Sequence, residues 1–165
     1  MDNEITIIVV VEYDRSGIKP VTYELLNAAR KLADNGKIIA LYFTDVENVD
    51  ESPLTHYGAD EIRICIHPDY HQYTHEAFTA GLQSEIEKIQ PDIVLMTASN
   101  SGKELSAAVA TRLGIVLASD CIELQNSEKG EVTIKRPVFA GKAYSLCKLS
   151  GPKPYLITLR PNCFR

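Results

Sequence analysis

Residues 5–11 read ITIIVVV, a β-branched run with no polar alternation. Side chains of this kind fit a pleated strand, and an apolar run without a polar face must be covered on both sides, which points to a parallel sheet. The next segment changes period. Leu25, Ala28, Ala29, Leu32 and Ala33 follow Val21 at the spacing of one helical face. Asn35-Gly36 closes that helix, since both residues tolerate a left-handed turn. A second strand, KIIALYF, then covers 37–43.

The alternation repeats. A loop and a short helical turn over 52–57 lead into EIRICI at 61–66. A helix over 75–89 places Phe78, Leu82, Ile86 and Ile89 on one face and turns Gln83, Glu85, Glu87 and Lys88 away, and Pro91-Asp92 stops it. IVLMT at 93–97 is the fourth strand, and another helix begins near Ser101 and ends at Gly114. Strands alternating with helices of this length require right-handed crossovers, so the fold class is α/β: a Rossmann-like three-layer sandwich with a mostly parallel sheet. After Gly114 the runs IVLASDCIELQ, EVTIKRPV, AYSLCKL and PYLITLRP are separated by turns such as Glu128-Lys129-Gly130 and Ser150-Gly151-Pro152. They predict a β-rich carboxyl-terminal extension of the same sheet. With no linker, repeat or low-complexity stretch, 1–165 reads as a single domain.

Composition excludes several classes. A net charge of −5 and the lack of a basic cluster argue against nucleic acid, whose phosphates are bound through grouped Lys and Arg. No apolar run approaches the ~20 residues of a membrane span, and the start has no signal-peptide pattern, so no membrane insertion and a cytoplasmic location are expected. Cys65, Cys121, Cys147 and Cys163 are scattered and form no C-x-x-C pair, which predicts buried, reduced thiols rather than a zinc or redox site.

Candidate chemistry lies at the carboxyl ends of the strands, where helix amino termini present N–H groups. The loop around Ser99, Ser101, Gly102 and Lys103 is a candidate anion site, although Ser101 reads equally as a helix cap reaching Glu104 and the Walker spacing is absent. His67, His71 and His75 have metal-like spacing, but Pro68 favours a polar surface loop, and no metal is assigned. Glu12 and Asp14 sit at the functional end of the sheet, in a stretch that also reads as a solvated turn. No catalytic constellation is present, so the chain is not expected to be an enzyme.

The stretch RPVFAGKAYS at 136–145, followed by GPKPYLITLRPNCF, resembles a motif pair of the electron-transfer flavoprotein alpha subunit. The similarity extends through VVVEYDRSGIKPVTYELLNAARKLA, YGADEIRI, YTHEAFTAGL and PDIVLMTASNSGKELSAAVATRLGIVLASDCIEL, and so covers nearly the whole chain. Lys103 stands where the family commonly has Arg, Lys142 where it has Asn, and Asn162-Cys163 where Gly-Ala often precedes the Phe. The resemblance implies an adenine nucleotide alpha hydrolase-like fold and the role of an amino-terminal scaffold that packs against a beta subunit. FAD would belong to the whole alpha subunit, in a carboxyl-terminal domain that lies beyond residue 165, with none held by this chain alone. Dehydrogenase donors would act through the whole complex. Arg136-Pro137 is expected to end one strand, Gly141 to bend the chain, and Phe139 and Tyr144 to offer apolar surface to a neighbouring domain or to the core. Two other classes fit the same fold: a free-standing nucleotide-binding protein similar to the universal stress proteins, and a purely structural dimer module.

Overall fold

The computed structural model describes residues 4–127 and 130–164. Its strands are β1 (Thr6–Val10), β2 (Tyr13–Asp14), β3 (Gly17–Ile18), β4 (Lys37–Thr44), β5 (Glu61–Ile66), β6 (Ile93–Thr97), β7 (Leu117–Cys121), β8 (Glu123–Asn126), β9 (Val132–Val138), β10 (Ala143–Lys148) and β11 (Tyr155–Leu159). The helices are α1 (Pro20–Ala33), α2 (Ser52–His56), α3 (His75–Ile89) and α4 (Asn100–Leu113).

Six strands make one all-parallel sheet in the order β5-β4-β1-β6-β11-β7. The β-branched run lies at its centre and is covered on both faces. Ile7 and Val9 join Leu25, Leu26, Ala29 and Leu32 of α1 in one core, while Ile8 and Val10 join Leu82, Ile86, Leu105 and Val109 of α3 and α4 in the other. One residue per face, alternating along each strand, is how a single apolar run fills two cores. The Rossmann-like sandwich expected from the sequence is therefore present.

Several local expectations are corrected. Asp34, not Asn35, takes the positive φ after α1, 52°, with a ψ of −105° that is not the left-handed turn expected. Gly36 serves closeness instead: a Cβ there would lie 2.4 Å from the backbone oxygen of Ile5. Arg30 wraps this corner, donating to the carbonyls of Gly36 (3.0 Å) and Gly58 (2.8 Å) and to Asp60 (2.7 Å). Glu85 is not turned to solvent. It is buried on α3 and receives Arg63 of β5 at 3.2 Å and Lys88 at 2.7 Å. The cap of α4 is Ser99 rather than Ser101, its hydroxyl accepting from the Gly102 N–H at 3.1 Å. Gly114 ends that helix in the left-handed region as expected, with φ 64°.

The carboxyl-terminal third does not simply extend the main sheet. β11 inserts between β6 and β7, parallel to both, whereas β8, β9 and β10 form a separate antiparallel sheet. β7 stays paired with β11 through Cys121, and Asp120, whose φ is 62°, lies at the register shift within that pairing; the chain leaves the main sheet after Cys121. One face of the small sheet, carrying Val132, Ile134, Leu124 and Cys147, packs into the core on the α1 side. Of the turn read at 128–130, Glu128 and Lys129 lie outside the described residues, and Gly130 has φ 73°. Of the cysteines, Cys121 alone is buried, Cys65 and Cys147 are half-buried and Cys163 is exposed; all four are free thiols. Burial pushes the Cys121 thiol up to about 12 and the Cys65 thiol to about 11, which disfavours the thiolate.

Candidate functional site

In an open parallel sheet, the chain leaves neighbouring strands in opposite directions at the point where strand order reverses, and this opens a crevice. Here that point lies between β1 and β6, and a cavity of about 680 Å³ occupies it. The carboxyl ends of β1, β4 and β6 and the first turn of α4 line it.

Glu12 is among the residues that line it. The buried Thr22 hydroxyl fixes the Glu12 backbone, accepting from its N–H at 2.9 Å and donating to its carbonyl at 3.0 Å. The Glu12 carboxylate then accepts the Ser99 hydroxyl at 2.5 Å, and Ser99 in turn caps α4. The partial positive charge of a helix amino terminus attracts an anion, and in this protein a carboxylate of its own chain stands next to it. Gly102 makes the approach possible: a Cβ there would lie 2.0 Å from the Thr97 carbonyl oxygen.

The anion-site candidates are thus divided. Ser99, Ser101 and Gly102 meet at the start of α4, but Ser99 is engaged by Glu12, and Lys103 reaches toward Asp120 of β7 at 3.9 Å. Arg160 holds Asp120 in a two-pronged contact at 2.6 and 3.1 Å and keeps its carboxyl below the ordinary carboxylate range. Asp14 belongs to a small hairpin formed by β2 and β3, where it accepts from the backbone and hydroxyl of Ser16. The histidines do not converge. His67 lies beside Asp69, His71 contacts Asp45 at 2.7 Å and His75 lies 3.7 Å from Glu104. Among the described residues, no group of three or more His, Cys, Asp or Glu is gathered as a metal would require.

Two features of the cavity were missed in the sequence. Thr97 lines it with a buried hydroxyl that has no hydrogen-bond partner among the described residues. Tyr13 and Tyr42 stack at 4.6 Å along one wall, and burial pushes the Tyr42 phenol up to about 12. The last residue of IVLMT was the available signal for Thr97, because a polar group ending a buried strand faces the crevice. The Tyr pair joins two strands that only the fold brings together.

A second surface lies on the small antiparallel sheet. Arg136-Pro137 does not end a strand; β9 continues to Val138, with Arg136 opposite Ser145 and Pro137 opposite Tyr144. Pairing with β8 begins at Lys135, so Pro137 lies past it, where its missing N–H costs no ladder bond. The turn that follows is left-handed at three successive residues, Phe139 (φ 51°), Ala140 (54°) and Gly141 (85°). β10 alternates strictly, turning Ser145 and Cys147 inward and Tyr144 and Leu146 outward. Phe139 is 79% exposed, Tyr144 59% and Leu146 79%, and Lys135 covers the Tyr144 ring at 4.9 Å. Arg136 has the opposite parity in β9 and is not on this face. Leu146 is, and the sequence reading missed it because AYSLCK mixes small and apolar residues at both parities.

These two surfaces sit on a Rossmann-like α/β domain with a small antiparallel sheet appended. The family model described as the electron transfer flavoprotein domain matches residues 7–165, and the chain belongs to that family. The chain is 32% identical to Protein FixB of Azorhizobium caulinodans, with 93% of this chain and 43% of that protein covered. It is 30% identical to the electron transfer flavoprotein subunit alpha of Bacillus subtilis, over 94% of this chain and 47% of that one. A third relative, lactate dehydrogenase (NAD(+),ferredoxin) subunit LctC of Acetobacterium woodii, is 32% identical, over 96% and 38%. The chain spans less than half the length of these curated relatives. No helix among the described residues is long and apolar enough to cross a membrane.

Proposed function

We propose that this chain is the amino-terminal scaffold domain of an electron-transfer flavoprotein alpha subunit and binds the beta subunit. The heterodimer carries electrons from dehydrogenases through FAD to a further acceptor, in the cytoplasm. The supporting observation is the Phe139, Tyr144 and Leu146 face. Tyr144 and Leu146 are exposed on the outer face of a small sheet whose other face packs on the core, Phe139 is exposed in the adjoining turn, and aromatic residues are enriched at interface centres.

Within this reading the flavin is held by other residues of the alpha subunit. FAD carries a pyrophosphate, and the place where α4 would receive it is next to the Glu12 carboxylate. The residues of this crevice do not fit that group, and no electron-transfer step runs through them. The domain's contribution is surface and rigidity, and it acts as a carrier's scaffold rather than a catalyst.

Leu146→Ser and Phe139→Ser are expected to weaken beta-subunit binding by at least about tenfold, roughly 1.4 kcal/mol each, while thermal unfolding is unchanged. Unchanged affinity in both variants would refute the assignment of this face.

A further inference from the structure

We propose that the crevice between β1 and β6 binds an uncharged planar aromatic compound bearing hydroxyl groups, of the nucleoside or riboflavin type, and discriminates against its phosphate ester. The site is independent of the beta-subunit face, since it lies at the carboxyl ends of the main-sheet strands while that face belongs to the small sheet.

Three observations converge. The first is room of the right kind: a cavity of about 680 Å³ falls within the size range of small-molecule pockets, and Tyr13, Tyr42, Tyr73 and Phe78 are among its walls. Aromatic rings of this number provide flat apolar surface for a planar ligand. The second is the Thr97 hydroxyl, which is buried and unpartnered although Thr97 is only 2% exposed. Buried polar groups in folded proteins find partners in protein, ordered water or ligand, and the Thr97 hydroxyl is available to bond a molecule in the cavity.

The third decides the charge of the ligand. In an open parallel sheet a phosphate would sit at a helix amino terminus at the strand ends, here that of α4 after β6. Ser99 caps that helix and bonds Glu12, so an incoming phosphate would meet a carboxylate at the position that would otherwise favour it. Ligand hydroxyls face the opposite situation, because a carboxylate is a strong acceptor for them. The cations at the cavity do not restore a phosphate site: Lys19 lies 4.0 Å from Glu12, His71 is engaged by Asp45, and Arg15 is at the exposed rim, where attraction is screened.

Calorimetric titration of the 165-residue chain with two matched pairs tests this: adenosine against AMP, and riboflavin against FMN. At least one uncharged member is expected to bind with a Kd below about 1 mM, and its phosphate ester at least about tenfold more weakly. Glu12→Gln is expected to shrink that difference to under about threefold, and Thr97→Val to weaken the uncharged ligand at least about fivefold. Amide NMR shifts of the unmutated chain, concentrated at Glu12, Thr44 and Thr97 on titration, locate the site without relying on either variant. If neither uncharged compound binds, if the ester binds within tenfold of its parent, or if the shifts fall elsewhere, the proposal is overturned.

Discussion

The two sheets of this molecule are built on opposite economies of surface. In the parallel sheet, both faces of every central strand are buried, and Ile7, Ile8, Ile93 and Leu95 have no exposure at all. In the antiparallel sheet, one face closes the core and the other leaves Tyr144 and Leu146 in solvent. A sheet with two covered faces has no spare surface for a partner, so its chemistry is confined to the strand ends, where Glu12, Ser99 and Thr97 gather. A sheet with one free face presents its chemistry broadside. The difference separates a concave site suited to a small molecule from a flat one suited to a protein.

The largest effect should come from the first region. Leu95→Ala removes a fully buried side chain from the main core and is expected to cost about 3 kcal/mol in urea unfolding. Gly102→Ala should follow at about 2 kcal/mol. Its new Cβ would meet the Thr97 carbonyl oxygen at 2.0 Å, so α4 has to move off β6. A loss below about 0.5 kcal/mol would mean that the junction between α4 and β6 is loose, and the tight Glu12–Ser99 geometry argued from it would fail too.

The sequence made the first region legible and the second only partly. Runs such as EIRICI and IVLMT carry their strand assignment in their own composition, and the helix over 75–89 has its bounds at the same residues in the structure. The insertion of β11 between β6 and β7 could not be read, because strand order is a long-range property that local pattern does not encode. Arg136-Pro137 misled for a related reason. Proline breaks a ladder only where a neighbour needs its N–H, and the register that removes that neighbour depends on where β8 begins. At the crevice, Ser99 and Glu12 are 87 residues apart, and each had an adequate local explanation as loop or turn. The contact that gives them a joint meaning exists only in the fold.

Acid should separate the regions as well. The Glu85 carboxyl is raised by burial, but Lys88 and Arg63 together outweigh this and set it below the ordinary 4.5. A depressed folded-state value means that the unfolded chain takes up the proton first, so this contribution is complete above about pH 4.5 and is lost as pH falls further. Glu85→Gln is expected to cost about 1 kcal/mol at pH 7, a discounted figure because Arg63 and Lys88 are solvent-exposed. The gap from the unmutated chain should close as the pH is lowered below 4.5. A gap that persists at the acid end would mean that Glu85 acts by packing and not by charge.

Gly141→Ala probes the second region, and its cost has a different origin from that of Gly102. Nothing lies within 4 Å of a Cβ at Gly141, so there is no clash, only the φ of 85° that an L side chain resists. About 1 kcal/mol is expected, and hydrogen exchange should show the loss confined to the β9–β10 hairpin.

Leu146→Ala should have the smallest effect on folding, although the truncation is the same as at Leu95. Leu146 is 79% exposed, so the methyl groups removed are already in water and no cavity forms. The change in unfolding free energy should stay within about 0.5 kcal/mol. A stabilisation would be as informative as no change. It would mean that the exposed leucine is a strain on the isolated domain, kept at a cost for the sake of something that covers it. A destabilisation above about 1 kcal/mol would show that the outer face of the small sheet contributes to the core after all, and the contrast between a sheet with two buried faces and a sheet with one would collapse.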